Sequence, residues 1–283
     1  MTSPLITASA LAARLNDPHA RTLVCDCSFD LADPNAGARA HAAGHIPNAV
    51  YLHLDQDLSA PKTGRNGRHP LPERAAFAAR MAELGASDDS LIVAYDASGA
   101  MFAGRLWWML RWAGHAQVAV LDGGLAAWRE AGGALQVGIS STPVPGRFTL
   151  RPALTRLLNH AEVRAGLGRG PRLLVDARAA DRFRGENETL DPVAGHIPGA
   201  TNRPFRDNLG PDNRFKTADA LRAEWQALMA GRVPAELVQY CGSGATACHN
   251  LLAMEIAGLP GAALYAGSWS EWCAQPEAPI AVG

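Results

Sequence analysis

The hexapeptide GHIPNA at residues 44–49 returns 151 residues later as GHIPGA at residues 195–200. Three further blocks recur in the same order: LVCDCSFD (23–30) with LLVDARAAD (173–181), LIVAYDASGA (91–100) with ELVQYCGSGA (236–245), and LDGGLAAW (121–128) with YAGSWSEW (265–272). The spacing between the paired blocks drifts by only a few residues, which is typical of a duplicated domain rather than of a chance motif. The sequence therefore predicts two copies of one domain.

Each copy alternates short apolar strands with amphipathic helices. The expected helices cover residues 8–15 (with Ser9 as its cap), 72–84, 104–113 and 246–257, and the expected strands cover residues 22–27, 91–95, 116–121, 173–176 and 237–240. Short strands that are apolar on both faces are typical of a parallel sheet covered by helices on both sides. We therefore expect an α/β fold with two such sheets.

A proline-rich segment separates the two copies. Pro143, Pro145 and Pro152 fall between the last block of the first copy and the first strand of the second. We predict a first domain at residues 1–136, a linker at 137–152 and a second domain at 153–283.

The composition excludes several classes of protein. The 283 residues carry 26 Lys and Arg against 27 Asp and Glu, a net charge of −1, whereas nucleic-acid binders and polybasic membrane-surface proteins need a cationic excess. No stretch of the sequence predicts a secretory signal or a membrane span. The odd number of cysteines, five, favours reduced thiols and a cytoplasmic protein.

The strand at residues 237–240 leads into Cys241, then Gly-Ser-Gly at residues 242–244, then a predicted helix. Glycines at such a turn allow successive backbone N–H groups to point at one spot, which is also the positive end of the helix dipole. A cysteine in this setting is expected to be a thiolate nucleophile with donors ready to hold an anion. The plainer alternative is a buried thiol at a strand end, but the flanking glycines favour the nucleophile.

The first copy carries Asp96 where the second carries Cys241. We therefore expect only the second domain to be catalytic.

Two reactions suit a thiolate in an anion-binding loop. Cysteine phosphatases use a Cys-x5-Arg loop whose arginine contacts the phosphate in a bidentate manner, and here the sixth residue after Cys241 is Ala247. Phosphoryl transfer is therefore disfavoured. The remaining reaction is acceptance of a sulfur atom to form a persulfide.

The duplicated domain, the two GHIP motifs, CGSGAT at residues 241–246 and GSWSEW at residues 267–272 together resemble the tandem-domain rhodanese superfamily. The loop is most similar to that of the 3-mercaptopyruvate sulfurtransferases, whose pattern is CG(S/T)GVT. Thiosulfate-specific relatives typically carry cationic residues in this loop, whereas Gly242 and Ser243 are neutral.

The resemblance implies roles for individual residues. Cys241 matches the persulfide-forming nucleophile, and Ser243, Asp55 and His69 match a proton-handling triad. Arg182 matches an arginine that holds the donor carboxylate. The loop backbone is expected to contact the sulfur or the donor through Gly242, Gly244, Ala245 and Thr246.

One position departs from the pattern. A second arginine follows nine residues after the first in mercaptopyruvate enzymes, and here that position is Asp191. Arg184, Arg203 or Arg206 are candidates to replace it.

Other polar residues invite structural explanations. His69, in an Arg/Gly/Pro loop, is as well explained by a plain surface histidine, and His45 and His196 recur in both copies and are expected to brace the strand–loop junction. Asp26 and Asp176 recur likewise, as strand-end hydrogen-bonding groups. A metal at Cys25 and Cys27 is disfavoured because no second ligand pair follows with suitable spacing.

The resemblance thus predicts a sulfurtransferase that moves sulfur from 3-mercaptopyruvate through Cys241 to a thiol or cyanide, without a cofactor or metal. Thiosulfate is the alternative donor, and a thioredoxin-like reductant is a candidate acceptor. A hypothesis of another class is a sulfur-carrier or redox-sensing protein, in which Cys241 is loaded for a protein partner without turnover. No nucleic acid or membrane partner is expected.

Overall fold

The computed structural model describes residues 3–138 and 144–283, so residues 139–143 of the predicted linker lie outside the described part. The chain forms two compact units. The first unit comprises Met1–Ser59, Pro72–Leu154 and Pro211–Phe215, and the second comprises Ala60–Leu71, Thr155–Gly210 and Lys216–Gly283. The second unit therefore takes in a short segment from the first half of the chain, and this segment carries His69. The predicted domain boundaries remain a prediction.

The first unit is a five-stranded sheet with all its strand pairs parallel. Its elements are β1 (Leu5–Ile6), α1 (Ala8–Leu15), β2 (Thr22–Asp26), α2 (Ala36–Ala43), β3 (Val50–Tyr51), α3 (Arg74–Glu83), β4 (Leu91–Tyr95), α4 (Ala103–Trp112), β5 (Val118–Leu121) and α5 (Gly124–Glu130). The strand order is β1-β5-β4-β2-β3, so β4 is central.

The second unit repeats this topology. Its elements are β6 (Arg156–Leu158), α6 (His160–Ala165), β7 (Leu173–Asp176), α7 (Ala180–Arg184), β8 (Thr201–Asn202), a 3-10 helix (Phe205–Asn208), α8 (Ala218–Met229), a second 3-10 helix (Pro234–Glu236), β9 (Leu237–Tyr240), α9 (Ala245–Ile256), β10 (Ala263–Tyr265) and α10 (Ser268–Trp272). The order β6-β10-β9-β7-β8 is that of the first sheet, with β9 at the centre. The predicted α/β fold with two parallel sheets is confirmed.

The strands predicted over Leu91–Tyr95, Leu173–Asp176 and Leu237–Tyr240 are found with those bounds. The predicted cap Ser9 is wrong. Thr7 caps α1, because its extended backbone lets Oγ1 accept the Ala10 N–H at 3.2 Å, whereas Ser9 already lies in the first turn.

The two copies of the domain place buried residues at matching core positions, most of them within the recurring blocks. The matched buried residues are Leu11 and Val163, Val24 and Leu174, Ile46 and Ile197, Val93 and Val238, Tyr95 and Tyr240, Leu121 and Tyr265, and Trp128 and Trp272. The sequence repeat therefore corresponds to a hydrophobic core that is packed in the same way in both units.

The GHIP motif is tied to the central strand through a tyrosine. The Ile46 N–H donates to the Tyr95 hydroxyl at 3.3 Å, and this hydroxyl donates to the Asp26 carboxylate at 3.0 Å. In the second unit the Ile197 N–H donates to the Tyr240 hydroxyl at the same distance. The expectation that the recurring aspartates are strand-end hydrogen-bonding groups is thus supported.

The histidines of the two GHIP motifs brace the same junction. His45 pairs in an antiparallel bridge with Gln136, and His196 pairs likewise with Ala281. In each case the motif fastens the segment that follows the last helix of its own unit.

No helix within residues 3–138 and 144–283 is both long enough and apolar enough to cross a membrane.

The loop after β4 surrounds the side-chain carboxylate of Asp96 with backbone N–H groups. The buried Asp96 side chain accepts four backbone N–H groups at 2.8–2.9 Å, from Ser98 and Ala100 on one oxygen and from Phe102 and Ala103 on the other. Burial raises the pKa of Asp96, and the four N–H donors partly offset this. The turn between a central strand and the next helix is therefore built to surround an acceptor.

We predict that Asp96→Asn lowers the free energy of unfolding by about 1–3 kcal/mol, because one carboxylate oxygen that accepts two N–H groups becomes an amide donor. The measurement is the shift in thermal unfolding midpoint.

Asp89→Asn is the matched control. Asp89 is exposed in a surface pair with Arg21, so its loss is expected to stay within about 0.5 kcal/mol. Equal stability of the two variants would contradict the importance of the four N–H bonds.

Candidate active site

In the second unit, the loop between β9 and α9 carries the cysteine. Gly244 caps α9 with φ +82°, a left-handed conformation that a side chain would strain. The first turn of α9 includes Ala245 and Thr246, and the N–H groups of a first helical turn have no partner within the helix. The predicted strand–turn–helix sequence around Cys241 is present, and anion binding by this turn stays a prediction.

The Cys241 side chain lies inside this turn, with only 2% of its surface exposed. Its Sγ accepts the Gly244 N–H at 3.1 Å. The Cys241 N–H donates to Ser268 Oγ at 3.1 Å, and its carbonyl accepts the Trp269 N–H at 2.9 Å. Hydrogen bonds from the start of α10 thus fix the loop from behind while the sulfur faces a backbone donor.

His69 contacts Ser243, a residue of this loop that lies 174 positions later in the chain. His69 Nδ1 is 2.7 Å from Ser243 Oγ, and both side chains are buried. His69 is therefore not a bare surface histidine. Asp55 belongs to the first unit, where its N–H donates to His53 Nδ1 at 3.1 Å, and its predicted place beside His69 stays a prediction.

Arg182, at the end of α7, is held by two carboxylates. Its Nη2 lies 2.7 Å from Glu188 Oε1 and 2.8 Å from Oε2, and 3.4 Å from Asp191 Oδ2. Burial would raise the pKa of Glu188, but hydrogen bonds from Arg182 and from the N–H groups of Leu190 and Asp191 outweigh it and leave that pKa below its ordinary value.

Arg68 is a second guanidinium in the same place, and the sequence analysis missed it. Its Nη1 donates to Asp191 Oδ1, and its backbone N–H donates to Ser270 Oγ at 3.0 Å. Burial raises the pKa of Asp191, and the bond and charge of Arg68 act against that rise. The acid at position 191 is thus the partner of an arginine 123 residues earlier in the chain.

Arg178 connects this cluster to the end of β7. Its guanidinium lies 2.7 Å from Asp176 Oδ2 and 3.2 Å from Glu188 Oε2, and it stacks 4.9 Å from the ring centroid of Trp269. Burial would lower the pKa of Arg178, yet the two carboxylates hold it above the usual value. Acids and arginines therefore alternate from the strand end to Arg68.

The arginines suggested as replacements at position 191 are engaged elsewhere. Arg203 contacts Glu224 at 2.7 Å and lies over the Trp225 ring. Arg184 pairs with its neighbour Glu186, and Arg206 lies over the ring of Phe205. The structure brings Arg68 to the loop instead.

The signal for Arg68 was weak but present. An acid at a position where an anionic donor is expected calls for a compensating cation, and Arg68 directly precedes His69. Nothing in the spacing, however, links residue 68 with residue 191.

Three of the other cysteines, Cys25, Cys27 and Cys273, lie in settings that disfavour a thiolate. Burial, followed by the charge of Asp26, raises the pKa of Cys25, and burial likewise raises that of Cys27. Burial and the charge of Asp191 raise the pKa of Cys273 to about 11. Cys248 is fully buried, and its Sγ donates to the Gly244 carbonyl at 3.1 Å.

Among the residues that the structure describes, no three His, Cys, Asp or Glu side chains are grouped as a metal site requires.

These features define the chemistry open to the loop. The Cys241 sulfur accepts a backbone N–H, a histidine–serine pair includes a residue of the same loop, and arginines with buried counter-ions adjoin it. Such an arrangement can bind an anionic molecule, attack it and move a proton.

The family model for the rhodanese-like domain matches residues 7–131 and 159–275. A "Probable 3-mercaptopyruvate sulfurtransferase" of Pseudomonas aeruginosa is 51% identical over 281 residues, covering 99% of this chain and 98% of its own. The thiosulfate sulfurtransferase of Mus musculus is 34% identical, covering 92% and 88%.

Among solved structures, the 3-mercaptopyruvate sulfurtransferase from Leishmania major superposes with a TM-score of 0.86 at 29% identity, covering 99% of this chain and 77% of that one. Since the family model matches both copies of the repeat and a full-length relative shares half of the sequence, the chain belongs to the rhodanese family of sulfurtransferases.

Proposed function

We propose that this sulfurtransferase takes sulfur from 3-mercaptopyruvate, holds it as a persulfide on Cys241 and passes it to a thiol or to cyanide. The observation that carries the proposal is the Cys241 Sγ, which accepts a backbone N–H at 3.1 Å in the turn that precedes α9. A persulfide formed on Cys241 would lie next to the same backbone N–H donor, that of Gly244.

In the first half-reaction the Cys241 thiolate attacks the sulfur of the donor. The new S–S bond forms as the donor's carbon–sulfur bond breaks, and the electron pair goes to carbon as the pyruvate enolate. The enolate takes up a proton and leaves as pyruvate. The donor thiol proton is released, so the net change converts a thiolate into a persulfide anion.

The pair of His69 and Ser243 supports this step because an enolate leaving group needs a proton near the loop. The 2.7 Å distance between Nδ1 and Oγ lets the hydroxyl and the ring exchange a proton. Asp55 completes the proposed triad as the group that would orient the histidine.

In the second half-reaction the acceptor attacks the outer sulfur of the persulfide, and Cys241 leaves as the thiolate. Cyanide gives thiocyanate, and a small thiol gives its own persulfide. A thioredoxin-like dithiol would become oxidised to a disulfide and release sulfide. None of the five cysteines, all of which the structure describes, forms a disulfide. This suits a reducing compartment and is the basis for placing the protein in the cytoplasm.

Thiosulfate is the second candidate donor, since the mouse relative carries that name. Its dianion would also be attracted by Arg182. Mercaptopyruvate is favoured because the residues of the loop itself, from Gly242 to Ala245, carry no charge.

We predict a larger kcat/KM for thiocyanate formation with 3-mercaptopyruvate than with thiosulfate, and complete loss of turnover in Cys241→Ser. Cys273→Ser is the matched control, and it is expected to keep full activity because its thiol is protonated at neutral pH. Steady-state assays with cyanide as acceptor make the comparison.

A preference for thiosulfate would contradict the donor assignment alone. If neither donor supports turnover, the enzyme proposal is wrong and the sulfur-carrier hypothesis takes its place.

We predict that Ser243→Ala and His69→Ala each lower kcat with 3-mercaptopyruvate by about 10²-fold or more, because both remove the route for the proton. The pH–rate profile is expected to lose the limb that the pair supplies, with little change in KM.

His115→Gln is the control, since His115 is a buried histidine of the first unit that bonds backbone carbonyls. Its loss affects stability and leaves the pH profile unchanged. An unaltered pH profile in Ser243→Ala would contradict the proton-handling role.

A further inference from the structure

Two guanidinium groups converge on the backbone next to Cys241. A Cβ placed on Gly242 would lie 2.7 Å from Arg68 Nη2, and 3.6 and 3.7 Å from the two terminal nitrogens of Arg182. The absence of a side chain at Gly242 therefore leaves room for Arg68, while Arg182 lies at a distance that a Cβ would tolerate. Their side chains meet one residue away from the nucleophile.

The two arginines are more exposed than the carboxylates that hold them. Their side chains are 23% and 19% exposed, whereas the carboxylates that hold them, Asp191 and Glu188, are each only 2% exposed. A molecule that approaches the loop would therefore reach the arginine side chains more readily than the acids. The two buried carboxylates hold the guanidinium groups in place and are themselves almost inaccessible to solvent.

Arg68 is also fixed through its backbone. Its N–H bonds Ser270 Oγ, and the next residue, His69, bonds Ser243. The same short segment therefore supplies one guanidinium and the imidazole of the proton-handling pair. A carboxylate bound by Arg68 would hold its molecule close to that pair.

We infer that Arg68 and Arg182 together bind the carboxylate of the sulfur donor, and that Asp191 is a positioning residue whose carboxylate aims Arg68 at the loop. This inference rests on the proposed function and deepens it by naming a specificity-determining residue. Arg68 supplies the second guanidinium that this sequence lacks at position 191.

Planar guanidinium forks match a carboxylate through paired N–H bonds, which a single ammonium group cannot reproduce. We therefore expect Arg68 and Arg182 to discriminate between donors by the shape of the anionic group, in addition to any discrimination at the sulfur. An α-keto acid offers a flat carboxylate to the two forks, and thiosulfate offers a tetrahedral sulfonate-like group.

The test is Arg68→Met, which keeps an unbranched apolar stem and removes the guanidinium and its charge. We expect KM for 3-mercaptopyruvate to rise about 10- to 100-fold, the range for loss of hydrogen bonds to a charged group, with kcat changed far less. Arg68→Lys is expected to give an intermediate KM. Pyruvate, which has the carboxylate but no sulfur, is expected to lose competitive inhibition by a similar factor.

Arg65→Met is the matched control, since Arg65 is an exposed arginine three residues earlier in the same segment. It is expected to leave KM and pyruvate inhibition unchanged. Asp191→Asn is expected to raise KM while kcat stays close to that of the unsubstituted enzyme.

If the unsubstituted enzyme turns over 3-mercaptopyruvate and Arg68→Met keeps its KM and pyruvate inhibition within twofold, the inference is wrong and the proposed function stands. A lower unfolding midpoint with an unchanged KM would likewise overturn it, because Arg68 would then be only structural. Absence of turnover in the unsubstituted enzyme would instead refute the proposed function.

Discussion

Backbone N–H groups that converge on one point need an acceptor there, and each unit meets this requirement at the loop that follows its central strand. In the first unit Asp96 supplies the acceptor from within, and four N–H groups bond its carboxylate. In the second unit the corresponding residue is Cys241, whose sulfur takes one N–H. A carboxylate occupies its turn permanently, whereas a thiolate can accept a sulfur atom and give it up. This difference supports the proposal that the second domain carries the reaction and that the first does not.

The charged groups of the second unit form the other half of the site. Isolated charges are costly to bury, so the arginines near the loop come with carboxylates that are buried beneath them. Their order, from Asp176 through Arg178 and Glu188 to Arg182, extends through Asp191 to Arg68. The cations at the outer end remain partly exposed. Each buried carboxylate of this network is therefore paired with an arginine, and the partly exposed arginines adjoin the turn.

Much of the fold could be predicted because each element predicted in one copy of the repeat could be compared with the matching segment of the other. Strands over Leu91–Tyr95 and Leu237–Tyr240 were predicted from apolar runs that recur in register, and so was the cysteine turn. The short helix Ala36–Ala43 escaped prediction because its alanine-rich sequence has little amphipathic pattern. Arg68 escaped because contacts between residues far apart in the chain depend on tertiary packing, which no local spacing encodes.

We propose that the Sγ atom of Cys241 carries the transferred sulfur. The most direct measurement is mass spectrometry of the protein after it is mixed with 3-mercaptopyruvate in the absence of an acceptor, followed by mapping of the labelled peptide. The account predicts one added sulfur atom, on the peptide that contains Cys241, and its loss when cyanide is added. Sulfur on Cys248 or Cys273 in place of Cys241, or a product that cyanide cannot discharge, would contradict it.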